Sequence, residues 1–206
     1  MRRRAFLAGV TGLFAGCGGF ATGRGSDSAA DPETVTPAPV PTEEATPGVG
    51  RRRFAAEGCP TIDHRTHQTV CSHTQPSDAS LRLTPDRAVA RLDGDRLLTP
   101  VRFTLQWTAT GVLSVFADSW YLLRKRGDEW TGVATAAGRD PVRRLEPGEQ
   151  FYWVLDTVDH YSTDRIESVV ADLSPGRYAL GIQTVGDTSA LYSECLALFD
   201  VVDSEA

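Results

Sequence analysis

Apolar and polar side chains alternate with a period of two over most of the chain beyond residue 80. This period places every second residue on the same face, which is typical of a strand with one buried face. The longest alternating runs are Val101, Phe103, Leu105 and Trp107, and then Phe151, Trp153 and Leu155. The same pattern predicts shorter strands at 80–84, 120–123, 130–134, 178–182 and 195–201. Residues 164–172 are compatible with a short helix or with a further strand.

About seven or eight strands at regular spacing, without the strand–helix alternation of a parallel sheet, predict an all-β fold. The folded part has roughly 150 residues, which is one domain with a sizeable core. We therefore expect a β-sandwich at residues 79–206, preceded by an N-terminal strap at residues 51–78.

The N-terminus has a different pattern, in three parts. Residues 2–4 are all arginine, residues 5–15 form an apolar stretch of 11 residues, and Cys17 follows after one glycine. A membrane-spanning helix needs about 20 apolar residues, so this stretch is too short to span a bilayer. The layout is that of an export signal, which we predict at residues 1–16.

Two short motifs in this segment resemble known export signals. Arg3-Arg4-Ala5-Phe6-Leu7 resembles a twin-arginine signal, in which Arg3, Arg4, Phe6 and Leu7 are the motif residues. Leu13-Phe14-Ala15-Gly16-Cys17 resembles a lipobox, with Phe14 where that motif usually has Leu, Val or Ile. The resemblance implies lipidation of Cys17 and a lipid anchor on the extracellular face of the cell membrane. An ordinary signal peptide with an incidental cysteine is the alternative.

The segment after Cys17 predicts a tether. Residues 17–50 consist almost entirely of Gly, Ala, Ser, Thr, Pro, Asp and Glu, too few of them apolar to offset the entropy cost of ordering. Loss of the three signal arginines takes the formal charge from −6 to about −9, which argues against binding to nucleic acid. Lys125 is the only lysine, and this composition together with the signal resembles lipoproteins of halophilic archaea.

The folded part carries a second resemblance, over roughly residues 81–202. Leu145-Glu146-Pro147-Gly148-Glu149, the hairpin at 123–130 and Leu173-Ser174-Pro175-Gly176-Arg177-Tyr178-Ala179-Leu180 are similar to bacterial and archaeal immunoglobulin-like envelope domains. The resemblance implies an immunoglobulin-like β-sandwich and no reaction. It also implies a tyrosine corner, in which Pro175 and Gly176 form the turn and the Tyr178 hydroxyl bonds back to it.

Residues 59–73 hold three of the four histidines and two cysteines. In one interpretation Cys59 and Cys71 form a disulfide that fixes the strap to the sandwich. In another, His64, His67 and His73 bind zinc or copper, with a cysteine or Asp63 as a further ligand. In a third, one of the two cysteines pairs with Cys195, whose phase otherwise predicts a buried thiol.

Motifs for catalysis are absent from the sequence, which has no Gly-x-Ser-x-Gly, no phosphate-binding loop and no His-Glu-x-x-His. The four tryptophans fit a core better than a sugar-binding platform, because they share the phase of the strands. We therefore expect a protein without catalytic residues or cofactor. It would be a binding or structural module of the envelope with an unknown protein or glycan ligand. The alternative is an extracytoplasmic metal-binding protein using the histidines at 64–73.

Overall fold

The computed structural model describes residues 49–60, 68–136, 142–159, 162–186 and 192–204. A single short helix, α1 (Val49–Arg53), begins the described part, and strands make up most of the rest. The strands are β1 (Gln68–Cys71), β2 (Leu81–Pro85), β3 (Val89–Asp93), β4 (Arg96–Leu97), β5 (Val101–Trp107), β6 (Leu113–Arg126), β7 (Glu129–Thr135), β8 (Arg143–Leu145), β9 (Gln150–Asp156), β10 (Ile166–Val170), β11 (Gly176–Gly186) and β12 (Tyr192–Asp203).

These strands form two sheets. The larger sheet has the order β4-β3-β12-β11-β6-β7, with β1 also paired to β12 and β8 also paired to β6. The smaller sheet has the order β10-β9-β5-β2. The predicted all-β sandwich is thus confirmed. The described part has twelve strands rather than seven or eight, because the sequence did not predict β1, β3, β4 and β8. Strands β1, β4 and β8 have only two to four residues, and in β3 the apolar Val89 lies out of phase with the buried Ala90 and Leu92. Residues 166–170 form a strand and not a helix.

The strand order matches the immunoglobulin arrangement over most of both sheets. Strands β2, β5 and β9 lie in the order A, B, E, and β12, β11, β6 and β7 lie in the order G, F, C, C′. The edges differ from that order, since β1 and β3 also pair in parallel with β12, beyond the position of strand G. Strand β10 follows β9 in the chain and pairs with it in parallel, at the position where an immunoglobulin domain has strand D.

The main core lies between the sheets and contains the alternating residues that the sequence singles out. Phe103 of the smaller sheet meets Phe199 of the larger one edge to face, with ring centroids 5.3 Å apart. Trp153 and Trp120 are buried in this core, Trp107 packs at its margin, and Trp130 packs against a second cluster described below. All four tryptophans therefore contribute to packing, as their phase along the strands predicts.

Tyr178 makes the hydrogen bonds of a tyrosine corner. Its hydroxyl donates to the Ser174 carbonyl at 2.8 Å and accepts from the Ser174 amide at 3.1 Å. The Arg124 guanidinium donates to the Pro175 carbonyl at 2.6 Å and covers the turn. A Cβ atom at Gly176 would lie 2.9 Å from Arg124 Nε, so a larger residue there would displace this side chain.

Candidate functional site

The outer face of the larger sheet is covered by the beginning of the described chain. On β12, the odd-numbered residues 195–201 point into the main core, whereas Leu196 and Leu198 lie on the opposite face. Phe54 packs against these leucines and against Leu123 and Ala179, and only 1% of its surface is exposed. The sandwich therefore has a second, smaller core beneath the strap, in addition to the core between its sheets.

A disulfide joins the two halves of the strap, and the second half is attached to the sheet through backbone pairing. Cys59 and Cys71 form a disulfide, with their Cα atoms 5.8 Å apart. Cys71 ends β1, which pairs in parallel with residues 193–196 of β12. The structure thus shows the disulfide that one of the three sequence interpretations expects. The second half of the strap contributes β1 to the larger sheet.

Five charged side chains hold the first half of the strap, and we call them the strap clamp: Arg53, Glu57, Lys125, Arg177 and Asp200. Arg53 Nε lies 2.6 Å from Asp200 Oδ2, and Arg177 Nε lies 2.8 Å from Asp200 Oδ1. Glu57 accepts hydrogen bonds from both Lys125 and Arg177. Arg177 also lies over the Phe54 ring, 4.9 Å from its centroid. Each carboxylate of the clamp therefore contacts two cations, in a partly water-excluded site.

This arrangement changes the acidity of both carboxylates. The hydrogen bond from Lys125 and the charge of Arg177 hold the pKa of Glu57 below its ordinary value of 4.5, although burial acts in the opposite direction. Burial alone would raise the pKa of Asp200, and the hydrogen bonds from Arg177 and Arg53 more than offset it, so this pKa lies below 3.8. Both groups are therefore ionised at neutral pH and stabilise the fold in that form.

The clamp makes stability depend on pH in a direction that can be tested. A carboxylate with a lowered pKa in the folded state contributes stability above its unfolded pKa and loses it as the pH falls through the folded value. We expect Glu57→Gln to lower the free energy of unfolding by about 1–2 kcal/mol at pH 7, between the values for exposed and buried pairs. The difference from the unmutated protein should shrink toward pH 3.5, because below the ordinary pKa of 4.5 the unfolded chain takes up a proton that Glu57 in the folded protein resists.

Urea unfolding at the two pH values measures this difference. Glu129→Gln is the matched control, because Glu129 is exposed at the start of β7, and we expect it to change the free energy of unfolding by less than about 0.5 kcal/mol. An equal loss for Glu57→Gln at both pH values would mean that Glu57 acts through packing and not through its charge.

His73 lies beside the clamp. Its side chain is 7% exposed, and Nε2 donates a hydrogen bond to the Glu57 carbonyl oxygen at 3.0 Å. Within the described residues, its buried Nδ1 atom has no hydrogen-bond partner. His73 therefore links the turn after β1 to the first half of the strap, with one ring nitrogen left available.

Among the described residues, the third cysteine has no disulfide partner. Cys195 is a free thiol at the centre of β12, and burial raises its pKa to about 12. A thiol with this pKa is protonated at neutral pH and is a poor nucleophile. The predicted buried thiol is present, and Cys195 does not bridge to Cys59 or Cys71.

Several predicted site residues lie outside the described residues. These are the export and lipidation residues Arg3, Arg4, Phe6, Leu7 and Cys17, and the histidines His64 and His67. No helix in the described part of the chain combines the length and apolar character needed to cross a bilayer. The described residues also contain no group of three or more His, Cys, Asp or Glu side chains that could hold a metal ion.

No pattern in the sequence predicts the clamp. Its contacts join residues 23 to 147 positions apart, from Arg177 with Asp200 to Arg53 with Asp200. Arg177 and Asp200 have the phase of solvent-facing residues on alternating strands, so their pattern predicts exposure. Only the strap, which covers that face, converts them into partly buried partners.

Comparisons with known proteins add little to this description. No protein-family model and no curated protein matches the chain. One similar solved structure is the X-ray structure of the Northeast Structural Genomics Consortium target SoR45, which is 10% identical in sequence. The match covers 63% of this chain and 92% of that chain, with a TM-score of 0.40. A likeness of this size carries no argument about function.

Proposed function

We propose that the protein is a lipid-anchored lipoprotein of the cell surface, whose immunoglobulin-like sandwich is a non-catalytic binding or structural module of the envelope. The observation that carries the proposal is Cys17, placed directly after a basic segment and an apolar stretch too short to span a bilayer. The disulfide between Cys59 and Cys71 supports it, because such bonds persist in oxidising compartments outside the cytosol.

In this proposal, the contacts of the strap are consistent with export by the twin-arginine route. Strand β1 pairs with the last strand, β12, and the clamp joins Arg53 and Glu57 to residues of β6, β11 and β12. These contacts form only when the whole domain is folded, and a route that carries folded cargo suits such a domain. The tether at residues 17–50 would hold the module several nanometres from the membrane, at about 3.1 Å per residue when extended.

The proposal is tested by following Cys17. We expect mass spectrometry of the purified protein to show a mature N-terminus at Cys17 carrying a lipid. Cys17→Ala should move most of the protein from the membrane fraction to the medium or the soluble fraction. A double Arg3→Lys, Arg4→Lys variant should remain in the cytosol, whereas Arg2→Lys is the matched control in the same basic segment and should be exported normally. An unlipidated wild-type protein in the medium would contradict the anchor.

A second candidate function, binding of zinc or copper, is favoured by one observation. A metal-bound histidine commonly donates its second ring N–H to a backbone carbonyl, and Nε2 of His73 makes this bond while Nδ1 is unpaired among the described residues. In this alternative His73 acts with His64 and His67. Metal analysis of the same purified sample separates the two candidate functions. Only the metal-binding function requires a stoichiometric metal, which should be lost in His73→Ala.

A further inference from the structure

The outer face of the smaller sheet differs in character from the strap-covered face of the larger one. Most residues that alternate with the core residues of β2, β5 and β9 are polar and form rows on this face, and Val154 of β9, opposite Arg102, is the apolar exception. Arg82 pairs in register with Gln106 and Gln106 with Gln150, while Thr84 pairs with Thr104 and Thr104 with Tyr152. We call this surface the polar face and define it by these residues and Arg102: Arg82, Thr84, Arg102, Thr104, Gln106, Gln150 and Tyr152. All of them are exposed or half-buried.

Two guanidinium groups of the polar face lack a carboxylate partner among the described residues. The Arg102 guanidinium lies over the Tyr152 ring, 5.6 Å from its centroid. Arg82 donates to the Ser77 carbonyl at 2.7 Å and to the Gln106 side-chain oxygen at 3.4 Å. In contrast, Arg53 and Arg177 are paired with carboxylates in the clamp. A protein with a net charge of −6 thus presents two uncompensated cations on one sheet face.

Carboxylates at the margins of the polar face are already engaged. Asp86 accepts a hydrogen bond from the Arg102 backbone amide at 3.2 Å and pairs with Arg87. Glu149 pairs with Arg165 at 2.6 Å. Asp156, at the end of β9, is only 6% exposed and accepts from the Thr157 amide at 2.7 Å. These groups leave the charges of Arg82 and Arg102 open to an external anion.

The remaining side chains indicate what kind of anion fits. Protein interfaces have an apolar core, usually with aromatic anchors. At the β9–β10 side of this face Tyr152, Val154 and Ile166 are half-buried, and Val170 is the one large apolar residue of the smaller sheet that is exposed in the described part. Amide and hydroxyl groups of Gln106, Gln150 and Thr104 instead offer donors and acceptors in rows. Such a surface fits a ligand rich in hydroxyl groups that also carries negative charge.

We propose that the polar face binds an anionic polysaccharide, with Arg82 and Arg102 as the contacts to its acidic groups. The proposal rests on the proposed role of the sandwich as a binding module and names its surface and ligand class. Arg82 lies opposite Gln106, four residues from Arg102 along β5, so the two guanidiniums attach to the sheet about 14 Å apart along the strand. A spacing of this size along the sheet suits a chain of at least two or three sugars with repeated acidic groups better than a single sugar.

The test uses the full chain with Cys17→Ala, so that the result does not depend on lipidation. Calorimetric titration with a hexamer of galacturonic acid is expected to show saturable binding that weakens when NaCl is raised from about 0.05 to 0.5 M. A neutral hexasaccharide of glucose is expected to bind at least about tenfold more weakly. Arg102→Gln and Arg82→Gln should each lower the affinity about tenfold, because each removes a charge-assisted hydrogen bond.

Arg126→Gln is the matched control, because Arg126 is an exposed arginine at the end of β6, in the other sheet. It should leave the affinity within about twofold, and the melting temperatures of all variants should agree with that of the unmutated chain, which separates a binding defect from a folding defect. Three results would each overturn the proposal: absence of binding to the galacturonic acid hexamer, an equal affinity for polyglutamate of the same charge, or an equal loss of affinity in Arg126→Gln. None of these results would affect the lipid on Cys17, which tests the proposed function separately.

Discussion

Trp153→Ala is expected to lower the free energy of unfolding by about 4 kcal/mol, the typical cost of deleting a large aromatic side chain from a core. Trp153 has no exposed surface, and its ring packs against Phe151 with centroids 4.7 Å apart. Its Nε1 atom donates to the Ala117 carbonyl at 2.9 Å, which joins the two sheets inside the core. The substitution therefore leaves both a cavity and a buried carbonyl without its partner, and each adds to the loss.

Trp107 offers a matched control for this substitution. It also donates a hydrogen bond through Nε1, to the Gly111 carbonyl at 2.8 Å, but this partner is four residues away and the side chain lies at the margin of the core. Trp107→Ala should cost only about 1–2 kcal/mol. Urea unfolding followed by circular dichroism compares the two variants directly. Equal losses would show that the centre of the sandwich is no more tightly packed than its margin.

Removal of the disulfide is expected to have the next largest effect. A loop closed between residues 12 positions apart contributes about 3 kcal/mol through the entropy of the unfolded chain. In the double variant Cys59→Ala, Cys71→Ala, the melting temperature should fall by roughly 6–12 °C, as expected for a domain of about 150 residues. The loss acts mainly on the unfolded state, so the clamp contacts of Glu57 and Arg177 should persist in the variant at neutral pH.

A reductant provides the control for this second prediction. Dithiothreitol should lower the melting temperature of the unmutated protein to that of the double variant, and it should leave the double variant unchanged. Cys195 is buried and unpaired, so it gives no second reducible bond. A melting temperature that does not respond to reductant in the unmutated protein would mean that the bond is not formed in solution.

Strands with one buried face were predictable as such, whereas for β11 and β12 the sequence predicted the strands at 178–182 and 195–201 but not that both of their faces are buried. Residues 101–107 and 151–155 alternate because one face of the smaller sheet is open to water. On β11 and β12, the segments 178–182 and 194–201 are buried without interruption, because the main core lies on one side and the strap on the other. On these two strands the alternation remains only as a difference in side-chain type between the two faces. The residues of the outer face do not predict that the strap covers them.

The disulfide was one of three interpretations that the sequence left open, and the structure shows it between Cys59 and Cys71. Cys59 and Cys71 are close in the chain, so a short loop was a natural option. Exclusion of Cys195 depends on its place at the centre of β12, on the face opposite the strap. The partners of Arg82 and Arg102 could not be read from the sequence either, since register between strands decides which side chains share a row.

The sequence by itself was enough to predict the export signal, the all-β class and the central strands, because these depend on periodicity and composition over short windows of chain. Only the tertiary structure decided that the strap covers the larger sheet, that Arg53, Glu57, Lys125, Arg177 and Asp200 form a clamp, and that the polar face stays open. These features join residues far apart in the chain. Their energies come from burial and charge pairing, which exist only after the sheets have assembled.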